Sequence, residues 1–241
     1  MAIIAGGTST SSMTHTGCVR HHNEDALITI PTSGIWAVAD GMGGHDAGDY
    51  ASRCIVSHLY DAAQHYKGHE LINEIPNVIQ RANSELLDYA HSQSDEAIIG
   101  TTVVVLLLEG DHYHCYWTGD SRCYLSREGE LQAITTDHTE AEELIAQGLT
   151  NEAAALDMRT ANTLTQAVGV FPKAYVDYVS DLIYEGDRFL LCTDGLTKVY
   201  SDQELAQMVS YHNIDEINQQ FLTGAIEAGA PDNLSSVIVS L

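Results

Sequence analysis

Five aspartates stand beside small residues at the predicted ends of strands and turns. They occur in Asn23-Glu24-Asp25, Ala39-Asp40-Gly41, Thr118-Gly119-Asp120-Ser121, Thr193-Asp194-Gly195 and Pro231-Asp232-Asn233. A single Asp-Gly pair is usually a turn, but five such places, two of them after apolar strands, indicate a site. Clustered buried carboxylates need a positive partner, and the chain has only 10 Lys and Arg. Because the set offers oxygen ligands and no thiolate, it favours Mg²⁺ or Mn²⁺ over Zn²⁺.

Hydrophobic periodicity predicts the elements that must bring these aspartates together. Strands are predicted at 26–30, 35–39, 101–109, 112–119, 122–126, 131–135, 175–179, 188–193 and 234–241, and helices at 49–66, from Pro76 onward, after Thr139, at 151–156, after Ser201 and at 214–229. Helix pairs alternate with groups of hairpin strands, which predicts sheets covered by helices on their outer faces. Since no linker or internal repeat interrupts the chain, a single domain over 1–241 is expected.

The charge balance excludes two classes of partner. The chain has 241 residues with 34 acidic and 10 basic side chains, a formal net charge of −24, whereas nucleic acid and anionic lipid require clustered cations. At 44% hydrophobic residues the chain can bury a core, yet its longest apolar run, 103–108, is far shorter than the ~20 residues that span a bilayer. Five cysteines without a C-x-x-C pair, and a start without a basic signal region, predict a cytoplasmic protein with free thiols.

Six ordered motifs together carry a family resemblance. They are GCVRHHNED at 17–25, VADGMGGH at 38–45, GTT at 100–102, GDSR at 119–122, TDGL at 193–196 and DN at 232–233. In this order and spacing they resemble the metal-dependent protein phosphatases of type 2C, over about 14–239. The length is similar to that of the stand-alone bacterial members.

The resemblance implies an α+β fold, a four-layer α/β/β/α sandwich of two mostly antiparallel sheets flanked by helix pairs. A flap segment at approximately 137–165 is expected beside a metal cluster at one end of the sheets. Two departures concern the rim of this site. Met42 stands where many eukaryotic members have a histidine that protonates the leaving group, as is common in bacterial members, and Met158, Arg159 and Ala161 depart from the flap pattern.

The resemblance also implies one set of metal-binding positions: Asp25, Asp40, Gly41, Asp120, Asp194 and Asp232. Asp40 would bridge two ions, and the Gly41 carbonyl would bind one of them. Asp25 would act mainly through bound water, and Asp120 would help to hold a third ion. Arg20 would bind the substrate phosphate, because its planar fork suits a bidentate contact.

This arrangement predicts a serine/threonine protein phosphatase. Mg²⁺ or Mn²⁺, as two or three ions, would lower the pKa of a water, hold it in line with phosphorus and neutralise the phosphoryl oxygens. Arg20, Asp40 and Asp194 are the predicted catalytic residues. No nucleophilic side chain is needed, and the sequence lacks the Cys and following Arg loop of tyrosine phosphatases.

The expected partners are phosphorylated Ser/Thr proteins and a cognate Ser/Thr kinase, without nucleic acid or membrane, and the chain is expected to be a monomer. The DGMGGHDAG loop at 40–48 is similar to that of phosphatases that oppose the kinase controlling type VI secretion. Two alternatives stay open. One is a catalytically silent relative that binds phosphoproteins, and the other is a metal-dependent phosphatase of small molecules.

Overall fold

Two β-sheets alternate with α-helices in the part of the chain that the computed structural model describes, residues 7–43, 47–151, 154, 160–210 and 213–241. Their order is β1 (Ser9–His15), β2 (Asp25–Ile30), β3 (Ile35–Met42), α1 (Ala47–His65), α2 (His69–Gln93), β4 (Gly100–Thr101), β5 (Val103–Glu109), β6 (His112–Thr118), β7 (Arg122–Arg127), β8 (Glu130–Ala133), α3 (Glu140–Ala146), β9 (Asp177–Leu182), β10 (Arg188–Cys192), α4 (Asp194–Thr197), α5 (Asp202–Val209), α6 (Ile214–Glu227) and β11 (Leu234–Ser240). Most of the helix predicted at 151–156 lies outside the described residues.

Both sheets are antiparallel. The first has the order β1-β11-β10-β7-β8 and the second β2-β3-β5-β6-β9, with the short β4 paired to the end of β3. Each strand pair runs antiparallel, as the hairpin pattern predicts. The register of β2 on β3 places Asp25 opposite Asp40. This pairing alone brings two of the predicted site residues together.

The central strands are buried on both faces. In β3, Ile35, Ala37 and Ala39 face a core shared with α1 and α2, whereas Trp36 and Val38 face a second core between the two sheets. A third core joins the first sheet to α5 and α6. The order of layers is therefore helices, sheet, sheet, helices, which confirms the predicted sandwich. Burial on both faces also explains why β3 reads as a nearly continuous apolar run.

Helix α2 begins seven residues before Pro76, where the sequence predicts its first turn. It runs over His69–Gln93 with Pro76 inside. The prediction is wrong because Leu71, Ile72 and Ile75 are buried in the core, and their burial outweighs the cost of the missing proline N–H. Neither α2 nor any other helix in the described ranges is both long and apolar enough to cross a membrane.

Side-chain caps set the start of two later helices. Thr139 accepts a hydrogen bond from the Glu142 N–H at the start of α3. Ser201 and Glu204 form a reciprocal capping box before α5. Both caps lie at the positions that the sequence predicts, since a hydroxyl followed three residues later by Glu satisfies otherwise unpaired N–H groups.

The first residues of the segment 137–165 are tied to the body of the protein, and its two ends contact each other. The Asp137 carboxylate pairs with Arg122 of β7 at 2.7 Å. At the other end, the Thr165 N–H donates to the His138 carbonyl at 2.9 Å. These contacts hold the base of the segment close to the end of β6, because the His138 N–H donates to the carbonyl that precedes Asp120.

Arg127 neutralises the charge of the buried Asp187 carboxylate. Asp187 is 2% exposed, and its two oxygens accept hydrogen bonds from Arg127 at 2.9 and 2.7 Å. We expect Arg127→Leu to lower the free energy of unfolding by about 2 kcal/mol, less than for a fully buried pair because Arg127 is 30% exposed. Urea denaturation measures this loss. Arg81→Leu, which removes an exposed pair with Glu74, should cost less than about 1 kcal/mol, and equal losses would contradict the prediction.

Candidate active site

The predicted site residues, which come from separate parts of the chain, meet at one end of the two sheets. A cavity of about 350 Å³ is lined, among others, by Arg20, Asp40, Gly41, Asp120, Asp194 and Asp232. Asp25 lies behind this wall, close enough to Asp194 and Asp232 to interact with them electrostatically. The fold therefore gathers every residue that the sequence singles out for the site.

Two Asp-Gly pairs mark places where chain segments touch. A Cβ at Gly41 would overlap the carbonyl oxygen of Gly48, and a Cβ at Gly195 would overlap that of Asn233. No side chain fits at either position, so only glycine allows the approach. Each glycine lets another segment pass directly behind a site aspartate. The recurring Asp-Gly pattern thus has a packing reason that is separate from any role of the Gly41 carbonyl.

The backbone of Asp40 is held by two consecutive threonines. Thr101 Oγ1 and the Thr102 N–H both donate to the Asp40 carbonyl, at 2.9 and 2.8 Å, and the Asp40 N–H donates to Thr102 Oγ1 at 3.0 Å. Thr102 also hydrogen-bonds Ser121, the neighbour of Asp120, at 2.7 Å. The Gly-Thr-Thr motif therefore positions Asp40 relative to Asp120, a role that sequence reasoning missed although the motif itself was visible.

Asp25 joins the two sheets. Its Oδ2 accepts hydrogen bonds from Thr193 Oγ1 and Ser235 Oγ, each at 2.8 Å. Its Oδ1 is buried without a hydrogen-bond partner in the described part of the chain. Burial, together with repulsion by Asp194 and Asp232, raises the pKa of Asp25 to about 7. The ionised carboxylate therefore needs a neighbouring positive charge.

Other carboxylates at the cavity carry the same electrostatic cost. Burial, then repulsion by Asp25 and Asp194, raises the pKa of Asp40. Burial and Asp194 raise the pKa of Asp120 to about 7. Asp194 itself has a buried Oδ1 that lacks a hydrogen-bond partner within the described ranges. Crowded carboxylate oxygens with unused lone pairs fit Mg²⁺ or Mn²⁺, whose preferred ligands are oxygens.

Two cationic side chains neutralise part of this charge. Arg20 donates to both oxygens of Asp232, at 2.8 and 3.0 Å. Lys198 Nζ lies 2.5 Å from Asp194 Oδ2 and 2.7 Å from Asp232 Oδ2. Although burial opposes it, the hydrogen bonds from Lys198 and Arg20 lower the pKa of Asp232. Sequence reasoning missed Lys198. Its position one helical turn after Asp194 is the pattern that indicates a contact between the two side chains.

Asn233 ties the loop before β2 to the site. Its side-chain oxygen accepts from the Glu24 N–H at 2.8 Å, and its side-chain nitrogen donates to the carbonyls of Thr16 and His22 at 2.8 and 2.9 Å. This loop carries Arg20. The Asp-Asn motif therefore supplies one carboxylate and also anchors the guanidinium loop, and sequence reasoning recognised only the first of these roles.

The rim of the cavity includes Met42, Asn162 and Leu164. Asn162 and Leu164 belong to the segment 137–165, and among its described residues these two line the cavity. Met42 offers a thioether and no ionisable proton. Met158 and Arg159, which depart from the flap pattern, lie outside the described residues.

Comparisons with known proteins identify the family. The family model described as protein phosphatase 2C matches residues 20–222. The serine/threonine phosphatase stp of Listeria monocytogenes serovar 1/2a is 34% identical over 234 residues, which cover 94% of this chain and 93% of the relative. Among solved structures, "PppA, a key regulatory component of T6SS in Pseudomonas aeruginosa" matches with a TM-score of 0.87 at 33% identity over 97% of each chain. The Mycobacterium tuberculosis serine/threonine phosphatase PstP/Ppp matches with a TM-score of 0.90 at 28% identity, over 97% and 98%.

A two-sheet sandwich with a carboxylate centre at one end defines a metal-dependent class of proteins. The chain belongs to the protein phosphatase 2C family, which confirms the family and the fold that the sequence predicts. One solved structure of this fold, the catalytic domain of PstP with two manganese ions, matches with a TM-score of 0.84 at 29% identity over 97% of each chain. The metal dependence of the family agrees with the fit of these aspartates to divalent cations.

Replacing Lys198 by Met removes the ammonium group between Asp194 and Asp232. In protein stripped of divalent cations, we expect a loss of about 1 kcal/mol, or about 2–4 °C in Tm, because the carboxylates then repel each other. Mn²⁺ should abolish or reverse this difference. Differential scanning fluorimetry with EDTA and with Mn²⁺ measures both. Lys67→Met, at an exposed lysine that contacts Ser33, is the control, and a Lys198→Met loss that Mn²⁺ leaves unchanged would contradict the prediction.

Proposed function

We propose that this chain hydrolyses phosphoserine and phosphothreonine esters of proteins in one step, by direct attack of water and without a covalent intermediate. The observation that carries the proposal is the meeting of the five predicted aspartates at a cavity that also contains Arg20. Carboxylates with unused buried oxygens fit divalent cations. A guanidinium beside them fits the phosphate of a substrate.

The comparisons confirm the predicted enzyme class. Relatives named serine/threonine phosphatases match 94% and 93% of the chain, and the chain is a serine/threonine phosphatase of the bacterial type that acts on phosphoproteins. A catalytically silent relative is disfavoured, because each carboxylate of the proposed centre is present and faces or adjoins the same cavity.

The residues of the site divide between holding cations and holding phosphate. Divalent cations bound by Asp40, Asp194 and Asp232 supply water activation and charge neutralisation at the phosphoryl oxygens. Arg20 binds the phosphate. Its side chain is 51% exposed, so it can exchange the Asp232 carboxylate for the incoming anion. Until substrate arrives, the pairing with Asp232 keeps the guanidinium at the edge of the cavity.

The lining of the cavity supports attack by water. Among the described lining residues there is no cysteine, serine or histidine. The Thr102 hydroxyl at the wall is engaged with Ser121 and with the Asp40 N–H, so it is a poor nucleophile. Met42 has no proton to donate, and we propose that water protonates the leaving alkoxide.

Mg²⁺ or Mn²⁺ is the proposed cofactor. Asp40 would help to hold two ions, the Gly41 carbonyl would be a further ligand, and Asp25 would act through water. The two manganese ions in the PstP catalytic domain support this number. Asp120 and Asp194 would hold a third ion, and its support is that burial and repulsion by Asp194 raise the pKa of Asp120 to about 7.

We propose that the protein is a cytoplasmic monomer that opposes a serine/threonine kinase. We further propose that this kinase is one that controls type VI secretion. The support for this is the 33% identity to PppA, whose structure is described as that of a key regulatory component of T6SS. The five cysteines are free, and four of them are buried, which fits a reducing compartment. We propose that the segment 137–165 is a flap of a single domain, because its residues Asn162 and Leu164 line the cavity.

Phosphate release from peptides tests the proposed reaction. With Mn²⁺, phosphothreonine and phosphoserine peptides should be hydrolysed, and EDTA or Asp194→Ala should lower turnover by about 100-fold or more, because charge neutralisation is lost. Asp95→Ala, at an exposed position, is the matched control and should keep full activity. Turnover that survives EDTA would overturn the mechanism. Activity confined to phosphotyrosine, or to small phosphate esters, would overturn the substrate class.

Arg20→Lys tests phosphate binding because it keeps the charge and removes the planar fork. We expect KM for a phosphothreonine peptide to rise about 10-fold with a smaller change in kcat, and a larger rise in Arg20→Ala. Stability should change little, since the pair with Asp232 is half exposed on the arginine side. An unchanged KM in both variants would show that Arg20 does not bind the phosphate.

A further inference from the structure

Three different metal-ligating side chains meet on the helical layer, outside the active-site cavity. Cys54 and His58 lie one turn apart on α1, and Glu85 lies on α2. One ligand atom from each of them, the sulfur, a ring nitrogen and a carboxylate oxygen, lies within 4.8 Å of the other two. None of the three residues lines the active-site cavity.

The spacing along α1 explains why these groups converge. Tyr50, Cys54 and His58 recur every four residues, so their side chains form one stripe. The Glu85 carboxylate contacts two residues of this stripe. Its Oε1 accepts a hydrogen bond from the Tyr50 hydroxyl at 2.9 Å, and its Oε2 lies 2.9 Å from His58 Nε2. Tyr50 therefore orients the carboxylate from outside the ligand set, as the outer partners of metal-bound carboxylates do.

The chemistry of this set differs from that of the active site. Zn²⁺ accepts thiolate, imidazole and carboxylate ligands in tetrahedral geometry, with bonds of about 2.0–2.3 Å. Ligand atoms within 4.8 Å of one another can reach that geometry by rotation of their side chains. The side chains of His58 and Glu85 are 26% and 48% exposed. An ion can therefore enter from solvent and keep a water as its fourth ligand.

We propose that Cys54, His58 and Glu85 form a second metal site, which binds Zn²⁺ or a similar transition metal and links α1 to α2. Burial beside Glu85 raises the pKa of the Cys54 thiol to about 12, so the thiol is protonated in the metal-free protein. On binding, this proton leaves to solvent and the sulfur donates its electron pair to the ion. No oxidation or reduction takes place.

The second site acts on the helical layer that supports the active site. The first turn of α1 packs against the backbone of the active site, because the Gly48 carbonyl adjoins Gly41. Cys54 lies six residues further along the same helix, about 9 Å away along its axis. An ion that ties α1 to α2 thus stabilises the support of Gly41 without entering the catalytic cavity.

Cobalt tests the site because Co²⁺ replaces Zn²⁺ and shows a near-ultraviolet charge-transfer absorption when a thiolate binds it. Since no cysteine is among the described residues of the active-site wall, this absorption reports a thiolate site alone. The full chain, kept in excess Mg²⁺ to fill the catalytic centre, should develop the absorption up to one equivalent of Co²⁺. Added Zn²⁺ should then remove it.

Variants assign the absorption to the proposed ligands. Cys54→Ser should abolish it, and Glu85→Gln and Tyr50→Phe should each weaken Co²⁺ binding about 10-fold. Cys18→Ser, which removes an exposed thiol elsewhere, is the matched control and should leave the titration unchanged. Hydrolysis of phosphopeptides with Mn²⁺ should be the same in Cys54→Ser as in the parent protein.

Thermal stability gives a second readout that does not depend on activity. In excess Mg²⁺, Zn²⁺ should raise the Tm of the parent protein and not that of Cys54→Ser. Three results would overturn the proposal: no thiolate absorption in the parent, an absorption that survives Cys54→Ser, or equal Zn²⁺ shifts in both proteins. The cluster would then be only a hydrogen-bonded tether between the two helices.

Discussion

Repulsion among buried carboxylates is the main electrostatic constraint at the end of the molecule where the two sheets bring these side chains together. Burial disfavours each charge, and every neighbouring aspartate adds to the cost. The protein offsets this cost in part with hydroxyl donors from the first sheet and with the cations Arg20 and Lys198 at Asp232. Within the described part of the chain, Asp25 and Asp194 each keep one buried oxygen without a hydrogen-bond partner, and divalent cations would complete these two carboxylates.

The surrounding structure combines a rigid backbone with one adaptable group. Asp40 lies near the end of β3, a strand buried on both faces, and two threonines hold its backbone by hydrogen bonds. Gly41 and Gly195 allow other segments to close directly behind the site. Arg20, in contrast, is half exposed and pairs with a carboxylate that it can leave. Fixed carboxylates for cations and an exchangeable guanidinium for phosphate would suit the proposed hydrolysis by a positioned water.

The net charge of −24 and the local chemistry of the site have opposite consequences. The acidic surface disfavours nucleic acid, whereas cations held by the aspartates, together with Arg20, would make a local anion-binding site. The proposed second site would differ from the active site in the types of its metal ligands. Oxygen-only ligands suit hard ions such as Mg²⁺, whereas the proposed Cys54, His58 and Glu85 set would suit borderline ions such as Zn²⁺, so the two centres would differ in the metal that each prefers.

Short motifs predicted the family, the resemblance that they carry implied the four-layer sandwich, and the same motifs indicated the aspartates that the fold brings to one cavity, because motifs reside in neighbouring residues. Local pattern failed at the start of α2, where burial of Leu71 and its neighbours overrides the preference of Pro76. Local pattern did not predict which residues contact the aspartates. Lys198, Asn233 and the cluster around Glu85 acquire their roles through contacts between segments far apart in the chain, and such distances exist only once the layers have packed.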